Sequence, residues 1–316
     1  MKIVFWGKGN RGLACLRALA EEGRRIEMVV GQPPKPGQWF GSVADAAKDL
    51  GLSTMTPADP NSPQVQAALR EVGADLFVLA GYGHILKQPV LDIPTIMTIN
   101  LHGGKLPQYR GSSPMNWALI NGETSFGLSI IKVEAGVDTG DVLLERTFDI
   151  GPDQTIRDLH RIADQNFPQM LCQAVSQIER GDYQLSPQDQ AQAAYYPLRF
   201  PDDGLILWDL LTAEQVHNRV RALTEPYPCA FGFFEGRQFK IISSKLARTR
   251  FFGEPGRVYL KTDQGLLVCA QDRCLWISQA RFVDNGQPLF EAVNRYDRLA
   301  TCQGLVLAGQ TAGRRT

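Results

Sequence analysis

Asn100, His102 and Asp138 are the side chains of this sequence whose types and placement could carry a group-transfer reaction. An asparagine amide can donate a hydrogen bond to an oxyanion. A histidine can relay a proton near neutral pH, and a carboxylate can orient that histidine and favour its charged form. Asn100 and His102 close a strand-forming run, Ile96-Met97-Thr98-Ile99, and Gly103-Gly104 follows it. Such a pair permits backbone conformations closed to other residues and a close approach to a ligand. Asp138 stands in a second loop, Ala135 to Asp141, rich in glycine and carboxylate. No serine or cysteine lies in a nucleophile-elbow pattern, so a covalent acyl-enzyme is not indicated. Direct acyl transfer fits better: an amine attacks a carbonyl, Asn100 and His102 stabilise the tetrahedral oxyanion, and a base removes the amine proton. Taken singly, each residue has a structural reading, as a cap or as a packed histidine. Only a shared location makes them a set.

The elements around them must supply that location. Ile3 to Trp6 reads as a strand, and Leu76 to Ala80 is too uniformly apolar for a half-exposed one, which points to a central parallel strand. Polar groups at the carboxyl end of such a strand occupy the usual ligand position of an open α/β sheet. Helical spacing appears at Val43, Ala46, Ala47 and Leu50, at Val65, Ala68, Leu69 and Val72, and from Ile156 to Ile178. Ser113-Pro114 reads as the start of a helix through Trp117 and Ile120. Further strands are expected over Leu128 to Glu134 and Asp141 to Phe148. The alternation argues a doubly wound, mainly parallel α/β domain. Gly181 to Gln192 has the composition of an exposed connector. Beyond it, a helix capped by Thr212 with Gln215 three later precedes short β-rich runs, the pattern of a small antiparallel barrel.

Gly7-Lys8-Gly9-Asn10-Arg11-Gly12 is a literal GxGxxG between the first strand and its helix. A dinucleotide site also expects an acidic residue roughly 20 positions on, at the end of the next strand. The second strand ends instead in Gly31-Gln32-Pro33-Pro34, so a tight strand-to-helix turn is the better reading.

Composition narrows the classes further. Lys+Arg and Asp+Glu both number 33 in 316 residues, so the chain lacks the diffuse positive field that nucleic-acid binders use. The six cysteines include no CxxC and suit buried thiols in a reduced cytosol; no metal is expected. With no signal-peptide core and no membrane-spanning run, the expected location is the cytoplasm.

Two longer motifs are more specific than the GxGxxG. Asn100-x-His102 followed by Leu106-Pro107-x-Tyr109-Arg110-Gly111-x-x-Pro114, and Gly136-x-Asp138-Thr139-Gly140-Asp141, resemble the formyltransferases that use N10-formyltetrahydrofolate. The resemblance continues through Trp117, Asn121-Gly122-Glu123-Thr124 and Gly127, then Asp202-Asp203-Gly204, Trp208, Arg221-Ala222 and Pro226-Tyr227-Pro228. The likeness is strongest to the formyltransferase part of the bifunctional enzyme that modifies UDP-4-amino-4-deoxy-arabinose. It implies a Rossmann-like catalytic domain over 1–185, a smaller OB-like β-rich domain over 186–308 and a disordered tail over 309–316. It implies Asn100, His102 and Asp138 as the catalytic set, with Asp138 orienting His102 or accepting the amine proton. It places the folate in a pocket formed by Ala80, Gly81, Tyr82, His84, Ile85 and Leu86 together with Gly136, Val137 and Asp141. Members commonly have Ser-Leu-Leu-Pro-Lys where this chain has Gly104-Lys105-Leu106-Pro107-Gln108, so the acceptor contacts of this loop differ.

The family includes methionyl-tRNA formyltransferases and sugar-nucleotide N-formyltransferases. The former resemble one another in a basic insertion after the second strand; here Gln32 to Phe40 carries one lysine. A nucleotide-linked amino sugar is therefore the expected acceptor and tRNA the less favoured one, with DNA and membrane excluded. Trp39, Tyr109 and Tyr196 could stack on a base or sugar, and Lys105 and Arg110 are the cations of the acceptor loop. A homodimer is plausible from the family. Two other classes, a nicotinamide-dependent oxidoreductase and a non-catalytic binding module, predict respectively tight NADPH binding and indifference to loss of His102.

Overall fold

The computed structural model describes residues 1–33, 41–302 and 304. Trp39 and the tail 309–316 lie outside the described residues. By contact the chain forms two compact units. The first takes Met1–Pro114, Ser125–Asp149 and His160–Pro197; the second takes Met115–Thr124, Ile150–Leu159 and the chain from Leu198.

The first unit begins with β1 (Ile3–Gly7), α1 (Gly9–Glu21), β2 (Ile26–Val30), α2 (Val43–Asp49) and β3 (Thr54–Met55). It continues through α3 (Pro63–Val72), β4 (Leu76–Ala80), α4 (Gln88–Leu91) and β5 (Met97–His102). The two-residue β6 (Arg110–Gly111), β7 (Ser125–Lys132), β8 (Val142–Asp149), α6 (Ile156–Arg180, from His160 on) and β9 (Tyr195–Tyr196) follow, while α5 (Pro114–Ile120) belongs from Met115 to the second unit. Seven strands make one sheet in the order β3-β2-β1-β4-β5-β7-β8. Pairings from β3 to β5 are parallel, whereas β7 runs antiparallel to both β5 and β8. Every residue of β1 and β4 is buried, which is why IVFWG and LFVLA show no alternation. On one face Trp6 and Phe77 pack with Val65 and Leu69 of α3. That helix has the boundaries its sequence dictates: Ser62 accepts from Val65 N–H, Pro63 opens the first turn, and Gly73 closes it at φ 61°.

The glycine-rich turn is a packing device. A Cβ at Gly12 would stand 3.0 Å from the Val43 side chain and 3.1 Å from the Ala80 carbonyl, so glycine lets α1 sit close on the sheet.

In the second unit, α7 (Ala213–Leu223) carries the expected capping box between Thr212 and Gln215. β10 (Ala230–Phe234), β11 (Arg237–Leu246), β12 (Val258–Thr262), β13 (Gly265–Cys269) and β14 (Cys274–Phe282) form an antiparallel sheet ordered β10-β11-β14-β13-β12. The short α8 (Leu289–Ala292) follows. Cys269 and Cys274 face each other across β13 and β14, and among the described residues no group of three His, Cys, Asp or Glu could hold a metal. No helix among them is long and apolar enough to cross a membrane.

Candidate active site

The three expected catalytic residues come together. β5 is flanked by β4, with Leu79 opposite Asn100, and by β7, with Ile131 opposite Asn100 and Ser129 opposite His102. Their spacing of two puts Asn100 and His102 on one face of the strand, at its carboxyl end. Asp138 arrives from the turn between β7 and β8 with φ 52°, in the left-handed region that an aspartate tolerates better than most residues. Its Oδ2 accepts a 3.0 Å hydrogen bond from Gly111 N–H, and its Oδ1 accepts a longer one, 3.4 Å, from the Asn100 amide. His102 Nδ1 lies 3.4 Å from Oδ2.

His102 is almost wholly buried, and its other nitrogen, Nε2, lies 2.6 Å from the Tyr109 carbonyl. A carbonyl oxygen only accepts, so this contact assigns the proton to Nε2. Nδ1 then faces the carboxylate, and that contact becomes a charge-assisted hydrogen bond once the ring gains a second proton. Gly104 makes the arrangement possible. A Cβ there would stand 2.7 Å from His102 Nε2, 2.7 Å from the Tyr109 oxygen and 2.8 Å from Pro114 Cβ. The loop thus leaves no room for a side chain at position 104.

The later half of the expected connector Gly181 to Gln192, together with the residues up to Tyr196, is built against the site instead. β6 pairs with β9, the Ala194 N–H donates to the Pro107 carbonyl, and the Arg110 N–H donates to the Ala194 carbonyl. The first unit accordingly runs to Pro197, beyond the division at 185 that composition suggested, because these backbone bonds tie the segment to the acceptor loop. Three glutamines at every second position, Gln188, Gln190 and Gln192, point into this junction. Gln188 and Gln190 accept from Arg110, and Gln192 accepts from Gln108. That alternation is the one signal the sequence held for the segment.

The expected substrate residues divide sharply. Trp39 is outside the described residues, and Lys105 is exposed on the loop. Arg110 is fully buried, its guanidinium donating to Gln188, Gln190 and the Tyr195 hydroxyl, so it frames the site rather than meeting a ligand. Tyr109 is buried too and stacks on Tyr196 with ring centres 4.9 Å apart, so neither ring offers an open face to the other's side. The folate-side expectations fall on two non-ladder segments. Residues 81–86 follow β4 and present Ile85, 76 % exposed; Val137 in the 136–141 loop is also exposed. The Tyr82 hydroxyl is buried with no hydrogen-bond partner among the described residues, and burial pushes its ionisation up to about 12, so it stays a neutral donor. Exposed apolar side chains on both segments suit the face of a flat ring.

Known proteins agree with this layout. Residues 1–175 match a family described as formyl transferase, and residues 200–287 match its C-terminal domain. Methionyl-tRNA formyltransferase of Ruminiclostridium cellulolyticum is 34 % identical over 292 residues, 89 % of this chain and 92 % of the relative. Among solved structures, an N-formyltransferase from Helicobacter canadensis, in complex with folinic acid and dTDP-3-aminofucose, superposes with a TM-score of 0.68 at 18 % identity, covering 87 % of this chain and 98 % of the other. HypX from Aquifex aeolicus, in complex with tetrahydrofolic acid, superposes with a TM-score of 0.63 at 19 % identity; this chain spans 44 % of its length. At these identities the structural likeness is one of fold.

Proposed function

The chain belongs to the formyltransferase family, and from that premise we propose that its acceptor is the primary amine of a nucleotide-linked amino sugar. It is an enzyme, and its formyl donor is N10-formyltetrahydrofolate. The residues present fit that donor: segment 80–86 and loop 136–141 would hold the pterin on either side of Asn100, with Tyr82, Ile85 and Val137 as described above.

The site geometry supports the following roles. The amine nitrogen attacks the formyl carbon, and the carbonyl oxygen takes up negative charge. Asn100 meets that charge directly, since its long bond to Asp138 leaves an amide hydrogen to donate. His102 has both ring nitrogens turned to acceptors, so in its doubly protonated form it acts on the oxyanion through its positive charge. Asp138 holds that cation and accepts the proton that the attacking amine must shed. The bond from the formyl carbon to N10 then breaks, N10 takes a proton, and the products are the formamide and tetrahydrofolate. Three groups within hydrogen-bonding reach of one another at a strand end are the observation that carries this reading.

For the acceptor, charge supports the sugar nucleotide. Of the loop's two cations, Arg110 is sealed inside and only Lys105 faces outward. With zero net charge and one lysine in 32–40, this suits a diphosphate better than the run of phosphates along an acceptor stem. The names of the relatives, methionyl-tRNA formyltransferases over nine-tenths of their length, favour Met-tRNA as the second reading. A panel of UDP-, GDP- and dTDP-linked amino sugars beside Met-tRNA, with 10-formyltetrahydrofolate as donor, separates the two. Transfer to an amino-sugar nucleotide is expected; transfer to Met-tRNA alone overturns the choice.

A further inference from the structure

We infer that Gln188 is a positioning residue for formyl transfer, holding the Asp138 turn in its working conformation from the segment behind it. The inference rests on Asp138 being catalytic. Gln188 is 8 % exposed and uses both ends of its amide on the site. Its Nε2 donates to the Asp138 carbonyl at 2.9 Å and to the Gly140 carbonyl at 2.6 Å. Its Oε1 accepts from Arg110 Nε at 3.0 Å and from the adjoining guanidinium nitrogen at 2.8 Å. Both amide hydrogens and both oxygen lone pairs are thereby satisfied. Asp138 itself is a non-glycine residue at φ 52°, two residues before a glycine that leaves no room for a side chain: a Cβ on Gly140 would lie 1.9 Å from the Lys132 carbonyl. A turn of this kind persists where its surroundings over-determine it. Gln188 fixes the backbone at Asp138 and two residues later, while Gly111 N–H, one residue beyond Arg110, fixes the carboxylate. The same residue thus registers the Asp138 turn against the acceptor loop that carries Arg110 and Gly111.

Glutamate is the discriminating substitution. Gln188→Glu keeps the oxygen that Arg110 bonds and turns it into a charged acceptor, but replaces the donor to the Asp138 and Gly140 carbonyls with a second oxygen. The junction to Arg110 survives while the grip on the turn is lost. Misplacing a reacting group by about 1 Å costs about 100-fold in rate. We expect Gln188→Glu to lower kcat by that factor, with the melting temperature close to that of the unchanged protein. KM should stay close to that of the unchanged protein, because the Gln188 amide is used on the turn and on Arg110. Gln188→Ala should lose both activity and stability. A residue that merely glues the segment down would lower the melting temperature and leave kcat per folded molecule unchanged.

The assay uses the full chain, 10-formyltetrahydrofolate and whichever amino-sugar nucleotide or tRNA carries activity in the panel above, with Asp138→Asn beside it. An inactive Asp138→Asn with both Gln188 variants within twofold of the unchanged kcat overturns this inference alone. An active Asp138→Asn overturns the reading of the site beneath it. If the alanine variant does not fold, the glutamate variant and Gln188→Met, which keeps the volume and removes the donor, decide the matter by the same kcat criterion.

Discussion

Gly104→Ser tests whether this loop is closed to any side chain at position 104. The new Cβ would stand 2.7 Å from both His102 Nε2 and the Tyr109 carbonyl oxygen. The imidazole can rotate away, but the carbonyl is backbone. Tyr109 N–H donates to the Lys105 carbonyl at 2.9 Å, and the neighbouring residues are clipped to Ala194 on both sides. Relief therefore comes from His102 turning or from the segment around Ala194 loosening. Overfilling a packed site costs about 1–3 kcal/mol. Losing the hydrogen bond from His102 to Tyr109 adds about 0.5–1.5 kcal/mol. Together these are roughly 2–4 kcal/mol, which should lower the melting temperature by about 4–16 °C if it falls on the first unit's own transition. Activity should fall as well, by about 100-fold in kcat/KM, since the ring that faces Asp138 is the one displaced. Nitrogen NMR reads the cause. The protein has four histidines, so the His102 ring is assignable by difference against His102→Gln. The unchanged protein should show a single tautomer protonated at Nε2, and Gly104→Ser a mixture. A serine variant with unchanged melting temperature, kcat/KM and His102 signal would refute the reasoning, for it would mean that the position tolerates the family's usual residue.

Stability should depend on pH through His160, on α6. Burial, reinforced by the charge of Arg11, lowers its ionisation from 6.5 to about 4. The unfolded chain then binds a proton that the folded one does not, so stability is complete above pH 6.5 and is lost as pH falls towards 4. The ceiling from that gap is about 3 kcal/mol, and roughly half of it is expected because the side chain is partly exposed. His160→Gln should flatten the melting-temperature slope between pH 6.5 and 4; an unchanged slope assigns it elsewhere. Gly140→Ala, which would drive a Cβ into the Lys132 carbonyl, should displace Asp138 and cut kcat by at least 10-fold, and full activity would show that the turn is not held as described. Fluorescence titration with NADPH should show no saturable binding, since Gly12 is spent on packing α1; tight binding would restore the glycine-rich turn as a cofactor site.

The parts of the site that could be read from the sequence are those fixed by local rules. A residue pair two apart at the end of a β-run must share a face, and an uninterrupted apolar run must lie between neighbours. Asn100, His102 and the burial of β4 follow from those rules and from nothing distant. Asp138 was within reach only through the motif Gly136-x-Asp138-Thr139-Gly140-Asp141, since a turn aspartate alone reads as a cap. What stayed hidden depends on partners 48 to 80 residues away, namely Gln188 with Gly140 and Arg110 with Gln188 and Gln190. A cation in an acceptor loop reads as a phosphate ligand, and a glutamine-rich stretch reads as a solvated linker, because each is polar and each is judged alone. Placed together they remove each other from solvent: the guanidinium spends its donors on the glutamine oxygens, and the freed amide hydrogens of Gln188 reach the turn that holds the carboxylate. Polar residues at alternate positions in an expected linker, opposite a cation that follows a reactive motif, are then better read as the back wall of a site than as its exit.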